Sequence, residues 1–306
     1  MKALVLFAAL AGSAFGATCD RACLKTALDQ YLKALTAHKP AGAPLSVGFR
    51  QTENAIVKRL GTGLWESMTG LGKVQRRYYD AVEGNAAYFG LIEEAKGPAI
   101  ATLRLKVEGR KITEAEWVIS RKGDPGIGPG AGGQADAAYH DSEYLIAHPP
   151  PAEKKFTITK GERLSRTELI AITNSYFDGL SAHDGKQIVA HPGCIREENG
   201  VLTTQRPLQG GAVTDCTSEG AMANIFAVTA RRYAVVDEEQ GVVLGIALFQ
   251  RKPGLAWRRN LLAEWFYIED AKIRTIFASM YYPDQEAIAP NWPPYDGNWP
   301  IQPPAK

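Results

Sequence analysis

Two stretches of this sequence, Tyr31–His38 (YLKALTAH) and Tyr176–His183 (YFDGLSAH), align residue by residue at a spacing of 145 positions. The same spacing relates Glu53-Asn54 to Glu198-Asn199. Later matches lie 155 and 161 positions apart and pair Arg76-Arg77-Tyr78 with Arg231-Arg232-Tyr233 and Val107–Ile112 with Ile268–Ile273. Short insertions in the second copy explain the growing spacing, because loops diverge faster than the elements they connect. The chain therefore contains an internal duplication.

The composition fits one large or two ordinary globular domains. Of the 306 residues, 45% are hydrophobic and 22% are charged. The chain has 35 Lys+Arg against 33 Asp+Glu, a formal net charge of +2. So small a net charge favours neither nucleic acid nor an anionic membrane as a partner. We expect a small-molecule substrate or ligand instead, and a homodimer is among the assemblies open to the chain.

Residues 1–17 have the pattern of a secretory signal peptide. A single cation, Lys2, precedes the apolar run Ala3–Ala11, and Ala14-Phe15-Gly16 fits the small-x-small pattern of a cleavage site. The apolar run is too short to span a bilayer. The sequence therefore predicts a secreted or periplasmic protein without a membrane anchor after cleavage.

The predicted export suggests that the four cysteines form disulfides, because an even number of cysteines in an oxidising compartment indicates disulfides. Four cysteines allow three disulfide connectivities. We expect Cys194 to pair with Cys216 across a polar loop and Cys19 to pair with Cys23 at the mature N-terminus. Zinc is the alternative, but neither pair has a histidine at the spacing of a zinc module, so no metal is predicted.

Each copy begins with a helical pattern and continues with strand patterns. Apolar residues recur at helical spacing from Leu24 to Leu35 and from Leu169 to Leu180. The strand patterns are Ala86–Glu93, Ala101–Val107, Ile112–Ser120, Val242–Gln250, Leu261–Ile268 and Ile273–Tyr281. This order predicts an α+β fold in which N-terminal helices pack on a curved antiparallel sheet.

The predicted domains are 18–122 and 165–283. Between them lies 123–164, a linker that begins with the Gly- and Pro-rich stretch 123–133 and could be a lid or inert. Residues 284–306 form a tail with Trp292, Tyr295 and Trp299 among prolines, which we expect to fold back over the protein.

The pattern resembles the NTF2-like superfamily of cone-shaped α+β domains, which includes ketosteroid isomerase and the SnoaL-like polyketide cyclases. More narrowly, it resembles a tandem-duplicated family of secreted fungal and bacterial proteins. The residues that carry the resemblance are Tyr176–Leu180, Cys194–Gly200, Arg231–Tyr233, Gly241–Gly245, Glu264–Ile268 and Lys272–Arg274. The resemblance implies two tandem cone domains, each with a pocket between sheet and helix. It implies no activity, because the superfamily hosts enzymes, binding modules and inert domains.

By analogy with ketosteroid isomerase, the order of elements places Tyr176, Glu198 and Glu264 at the catalytic points of the second domain, with Arg232 directed to the same cavity. Tyr233, Trp265, Tyr267 and His191 are then the predicted substrate-binding residues. A carboxyl group in an apolar cavity has a raised pKa and can exchange protons near neutral pH. The first copy has Leu103 where the second has Glu264, which favours a site in the second copy alone.

Each of these residues also has a structural interpretation. Tyr176 could be a core aromatic, Glu198 could belong to a solvated turn, and Glu264 could face water. Arg231 and Arg232 must face opposite sides of a strand, so only one of them can serve the pocket. His191 could be an ordinary loop histidine.

Two functions remain open. The first is a secreted lyase, isomerase or hydrolase that uses general acid–base chemistry without a cofactor. The second is a non-catalytic module that binds a small molecule or has a structural role. The sequence has no phosphate-binding glycine loop, nucleophile elbow, zinc helix or EF-hand loop, so no cofactor is predicted.

Overall fold

The computed structural model of the protein describes residues 19–129, 135–154, 158–208, 211–218, 224–252, 254 and 258–284. The predicted signal peptide and nearly all of the predicted tail lie outside these residues.

The first domain consists of a long helix followed by six strands. Its elements are α1 (Arg21–Thr36), a 3-10 turn (Pro40–Gly42), β1 (Leu45–Glu53), β2 (Ile56–Lys58), α2 (Leu64–Ser67), β3 (Met68–Asp80), β4 (Asn85–Glu94), β5 (Gly97–Glu108) and β6 (Lys111–Ser120). The strands form one sheet in the order β2-β1-β6-β5-β4-β3.

The segment predicted as an irregular linker contains regular structure. It forms a two-stranded sheet of β7 (Pro125–Pro129) and β8 (Ala135–Ala137), and then the short helix α3 (Ser142–Ala147). Asp141 caps this helix by accepting a hydrogen bond from the Tyr144 amide. Pro125 and Pro129, at the two ends of β7, do not prevent pairing, because among the described residues β7 and β8 have only each other as neighbours and both are edge strands.

The second domain repeats the first. Its elements are α4 (Arg166–Ala182), a 3-10 turn (Gly185–Gln187), β9 (Ala190–Glu198), β10 (Val201–Leu202), β11 (Ile225–Asp237), β12 (Val242–Arg251), β13 (Asn260–Glu269) and β14 (Lys272–Tyr281). The sheet order, β10-β9-β14-β13-β12-β11, is that of the first domain. The duplication seen in the sequence is therefore a duplication of topology.

The α+β class is confirmed, but the sheets are mixed and not purely antiparallel. β1 runs parallel to β6, and β9 runs parallel to β14, while the other neighbours are antiparallel. A parallel neighbour needs a long connection, and the four intervening strands of each domain provide it. The first strand thereby lies beside the last one.

The inner face of each sheet is covered by its long helix. Helix α1 buries Leu24, Leu28, Tyr31, Leu32 and Leu35 against the first sheet. Helix α4 begins with a capping box between Ser165 and Glu168 and buries an equivalent face.

The outer faces of the two sheets pack against each other. One hydrophobic cluster joins both domains and includes Val74, Tyr78, Phe89, Ile100, Val118, Val235, Leu244, Ile246, Leu248, Trp265 and Phe277. Strands in the middle of this arrangement are buried on both sides, which explains the unbroken apolar run of β12. The two domains therefore form one packed body.

Candidate functional site

The second domain contains a cavity of about 280 Å³ between α4 and the inner face of its sheet. The residues of the β7–β8 segment that border it are Gly126, Ile127, Ala137, Ala138 and Tyr139. The second domain contributes Tyr176, Leu180, Arg196, Glu198, Thr203, Arg206, Asn224, Ile225, Phe249, Arg251, Asn260, Leu262 and Tyr282. The volume suits a small molecule, at the lower end of ligand pockets.

Three polar side chains, Tyr176, Arg196 and Glu198, form a connected group on the wall of this cavity. Arg196 donates a hydrogen bond from Nη1 to the Tyr176 hydroxyl at 2.9 Å, and its Nε lies 3.0 Å from Glu198 Oε1. Nε also donates to Thr203 Oγ1 at 3.0 Å. The guanidinium thus bridges the phenol of the helix to the carboxylate of β9.

The electrostatics of this group follow from its burial. Burial raises the pKa of the Tyr176 phenol, which therefore stays protonated at neutral pH. Burial alone would lower the pKa of Arg196, but the negative charge of its neighbours, among them Glu198, raises it overall. The wall therefore carries a permanent cation that touches both a phenol and a carboxylate.

Strand geometry brings Arg196 and Glu198 to the same side. Residues two apart on a strand share a face, so Cys194, Arg196 and Glu198 all point from β9 toward the second-domain core. The turn that follows has Asn199 and Gly200 with φ of 50° and 76°, the left-handed conformation of a tight hairpin. The predicted turn is present, and Glu198 lies on the strand immediately before it.

Glu264 lies on the inner face of β13, fully buried, but it does not line the cavity. Neither of its carboxyl oxygens has a hydrogen-bond partner among the described residues. Burial, together with the charge of Glu198, raises the pKa of Glu264 to about 8. The side chain is therefore a buried, protonated acid beside the Arg196 group at neutral pH.

The first domain has a filled interior at the equivalent place. Trp65, Tyr88 and Trp117 are fully buried there, and the ring nitrogen of Trp117 donates to the Tyr31 hydroxyl at 3.4 Å. In the first sheet, Leu103 pairs with Tyr88 and Trp117. In the second sheet, its counterpart Glu264 pairs with Gly245 and Ala278. Gly245 and Ala278 therefore correspond to Tyr88 and Trp117. Small residues therefore open the second domain where large rings close the first.

In the first domain, the residues at the positions of Arg196 and Glu198 have structural roles. Gln51, which corresponds to Arg196, accepts a hydrogen bond from Trp65 Nε1 at 2.7 Å. Glu53, which corresponds to Glu198, accepts from the Leu64 amide at 2.7 Å at the start of α2. The cavity and its charged group thus belong to the second copy.

Three of the predicted site residues lie in the interface between the domains and not in the cavity. Arg232 forms an ion pair with Glu116, with Nη2 at 2.5 Å from Oε1. Trp265 donates from Nε1 to Thr102 Oγ1 at 3.0 Å. Tyr267 accepts a hydrogen bond from the Tyr78 hydroxyl at 3.1 Å. The alternation that turns Glu264 inward necessarily turns Trp265 and Tyr267 outward.

Tyr233 and His191 are also outside the cavity lining. The Tyr233 hydroxyl donates to Asn174 Oδ1 of α4. His191 Nε2 lies 2.9 Å from the backbone oxygen of Glu269. Arg231, the neighbour of Arg232, contacts Asp178 of α4 at 2.5 Å. Of the predicted catalytic and binding residues, only Tyr176 and Glu198 line the cavity.

Both predicted disulfides are confirmed. Cys19 is bonded to Cys23 and Cys194 to Cys216, with Cα–Cα distances of 5.2 and 5.3 Å. The second bridge joins β9, two residues before Arg196, to the loop that precedes β11. It therefore fixes the backbone next to the charged group of the cavity.

Within the described ranges, no three His, Cys, Asp or Glu side chains are grouped closely enough to hold a metal ion. In that same part of the chain, none of the helices is both long and apolar enough to cross a membrane.

The family described as Domain of unknown function (DUF8021) matches residues 162–280. These residues run from just before α4 almost to the end of β14, so the match covers the domain that contains the cavity. The chain matches no curated protein.

Sequence reasoning missed Arg196 and Arg251, the two arginines on the cavity wall that are wholly or partly buried. Arg196 alternates with Cys194 and Glu198 in a strand, and the repeat places a neutral Gln51 at its position. That difference between the copies was the available signal. No comparable signal marked Thr203, Asn224 or Asn260, because their convergence depends on three separate segments.

Proposed function

We propose that the second domain is a cofactor-independent lyase or isomerase that removes a proton from a carbon next to a carbonyl group in a small, partly apolar molecule. The observation that supports this most is the meeting of Tyr176, Arg196 and Glu198 on one wall of an open cavity. The resemblance to the NTF2-like superfamily agrees with such chemistry.

Tyr176 is suited to hold the carbonyl oxygen of the substrate. Its hydroxyl oxygen accepts a hydrogen bond from Arg196, and its own proton has no acceptor among the described residues. The positive charge of Arg196 makes the phenol a stronger donor. A hydrogen bond from Tyr176 would then stabilise the negative charge that develops on the carbonyl oxygen as the adjacent C–H bond breaks.

Glu198 is suited to take the proton. Its Oε1 is held by Arg196, while Oε2 has no partner among the described residues and belongs to a cavity-lining side chain. The C–H electron pair becomes the enolate double bond while the proton moves to Oε2. Return of the proton to a different carbon completes an isomerisation. Departure of a β-substituent, which takes its bonding pair and the proton, completes an elimination.

Glu264 would act indirectly as a positioning residue. Because the Glu264 pKa is raised to about 8, the side chain is uncharged at neutral pH and does not compete with Glu198 for the charge of Arg196. Its ionisation above that pH would place a second carboxylate beside the guanidinium. The Tyr176 phenol would then be a weaker hydrogen-bond donor.

We further propose that the protein acts outside the cytosol. Two disulfides are typical of proteins that fold in an oxidising compartment, and the leader pattern of residues 1–17 agrees with export.

Deuterium exchange tests the proposed proton abstraction without knowledge of the natural substrate. Cyclohexanone, acetophenone and levulinate are incubated with the protein in D₂O, and loss of the proton signal next to the carbonyl is followed by NMR. We expect enzyme-dependent exchange that falls by roughly 10² to 10⁴ in Tyr176→Phe and Glu198→Gln.

The duplication supplies matched controls. Tyr31→Phe and Glu53→Gln make the same changes in the filled domain and should leave the exchange rate within about twofold. Binding of these ketones in the cavity without any exchange would favour the alternative, a non-catalytic binding module. Equal loss of exchange in the first-domain variants would place the chemistry elsewhere.

A further inference from the structure

Arg251, at the end of β12, lines the cavity without an acidic partner. Its Nη1 donates to Asn224 Oδ1 at 2.6 Å, and its Nε donates to Asn260 Oδ1 at 3.1 Å. No Asp or Glu among the described residues lies within ion-pair distance of its guanidinium. The remaining amino group, Nη2, has no hydrogen-bond partner in that part of the chain.

The first domain shows what a compensated version of this position looks like. Glu94 occupies the place of Arg251, because it pairs with Met68 as Arg251 pairs with Ile225. Glu94 is bound by Arg121 at 2.5 Å and by the Ser67 hydroxyl at 2.6 Å. The first copy therefore has a glutamate with an arginine partner at this position. The second copy has an arginine with no carboxylate of a described residue within ion-pair distance.

The residues that bind Glu94 in the first copy also differ from those at the same positions around Arg251 in the second. Asn224 corresponds to Ser67 at the same spacing of 157 positions, and Tyr282 corresponds to Arg121 at a spacing of 161. Asn224 turns its amide oxygen to Arg251, whereas Ser67 turned a hydroxyl donor to Glu94. The second copy therefore holds Arg251 in place by neutral acceptors, and no ion pair with a described residue fixes its guanidinium.

The rest of the cavity reinforces this charge. Among the described residues, the lining contains three arginines, Arg196, Arg206 and Arg251, and one carboxylate, Glu198. Only Arg196 is paired with that carboxylate. Burial lowers the pKa of Arg251, and the opposing influence of Tyr282 and Glu198 does not outweigh it. A bound anion would restore the balance.

We propose that the substrate of this cavity is a carboxylic acid, whose carboxylate is bound by Arg251 while its reacting carbon lies at Glu198. A planar guanidinium with a free amino group matches a carboxylate, which accepts two parallel hydrogen bonds. Arg251 and Glu198 line the same cavity and form no ion pair with each other, which leaves room for a molecule between them. The proposal rests on the proposed function for the role of Glu198, but not for the binding of the carboxylate.

Equilibrium binding of matched acid and amide pairs tests this directly. The probes are benzoate with benzamide, cyclohexanecarboxylate with cyclohexanecarboxamide, and levulinate with levulinamide, measured by calorimetry and by ligand-observed NMR. At least one acid should bind, and at least tenfold more tightly than its amide. Inorganic phosphate should displace it only weakly.

Arg251→Gln should weaken binding of that acid at least tenfold. Arg274→Gln is the control, because it removes one exposed arginine outside the cavity lining and changes the net charge equally. Its affinity should match that of the original protein. The melting temperature of Arg251→Gln is compared in the same samples, so that a folding defect is recognised.

Any one of four results would overturn the proposal. These are equal affinity for acid and amide, displacement by phosphate as strong as by the acid, unchanged binding in Arg251→Gln, and no binding of any acid at about 10 mM. The Glu198→Gln variant separates the two claims. It should retain acid binding, so a failed exchange reaction with retained binding contradicts only the proposed function. Exchange of neutral ketones without preference for acids contradicts only the present proposal.

Discussion

Arg21 at the start of α1 is bound to Asp237 at the end of β11, with Nη1 at 2.7 Å from Oδ1. The same contact occurs a second time, because Arg166 at the start of α4 lies 2.7 Å from Asp80 at the end of β3. Each aspartate is fully buried, and each accepts a backbone amide of the other domain at 3.0 Å, from Tyr79 or from Val236.

These reciprocal contacts are those expected of a two-fold symmetric pair. In these contacts, the second domain binds the first in the same way as the first binds the second. The duplicated chain therefore builds within itself the kind of interface that two identical subunits would share, and it uses the outer face of both sheets to do so.

We predict that Arg21→Ala and Arg166→Ala each lower the free energy of unfolding by about 2 kcal/mol, since each leaves a buried carboxylate without its cation. Lys25→Ala, which removes an exposed pair with Asp29, should cost less than about 0.5 kcal/mol. Urea unfolding measures all three. A value for Arg21→Ala indistinguishable from that of Lys25→Ala would contradict the interface described here.

Trp265 should matter for stability and not for chemistry. Trp265→Phe removes the hydrogen bond to Thr102 and part of a fully buried ring between the sheets, at a cost of about 2 kcal/mol. The deuterium exchange rate of the folded variant should stay within about twofold. A large loss of exchange without loss of stability would return Trp265 to the substrate site.

Glu264 should make the protein less stable as the pH rises from about 4.5 to about 8. In this window the unfolded chain has lost the proton that the folded protein keeps, because the folded pKa is raised to about 8. The contribution is on the order of 1 kcal/mol per pH unit. Below the window both states are protonated and the effect vanishes.

Glu264→Gln and Glu264→Leu provide the comparison, the latter restoring the residue of the first domain, Leu103. Both should lack this slope, and both should be more stable than the original protein at pH 8 (the window ends at about 8). Denaturation curves across the pH range decide the matter. An unchanged slope in Glu264→Gln would mean that the carboxyl group is already ionised at neutral pH.

The two disulfides should contribute unequally. Replacing Cys194 and Cys216 by alanine opens a loop with a sequence separation of 22 and should cost about 3 kcal/mol, whereas the bridge between Cys19 and Cys23 closes a separation of 4 and should contribute about 2 kcal/mol. Thermal unfolding of the two double variants gives the order. A larger loss from the shorter ring would contradict the loop-closure argument.

The repeat predicted much of the fold. It anticipated both long helices and three strands in each copy to within a few residues at their ends. It did not anticipate that β1 and β9 lie parallel to the last strand of each sheet. Register between distant strands is decided by tertiary packing, which local patterns do not contain.

The site was predictable only in part, for the same reason. Alternation in β13 showed that Glu264 and Trp265 face opposite sides, and the partner on the outer side, Thr102, lies in the other domain. Residues that the sequence pattern assigned to a substrate site therefore lie in the interface between the two domains. Arg251 was not predicted, because the signal at its position is the lack of an ion pair. That lack is recognised only by comparison with the ion pair between Glu94 and Arg121 in the first domain.

Small molecules should bind inside the second domain and not inside the first, and methyl NMR distinguishes the two interiors. Leu180 lines the cavity, and Leu35 is its counterpart in the filled domain. Titration with cyclohexanone and with cyclohexanecarboxylate should shift the methyl signals of Leu180, Ile225 and Leu262 and leave those of Leu35 unchanged. Shifts at Leu35, or none at Leu180 with either probe, would rule out selective binding in the second domain.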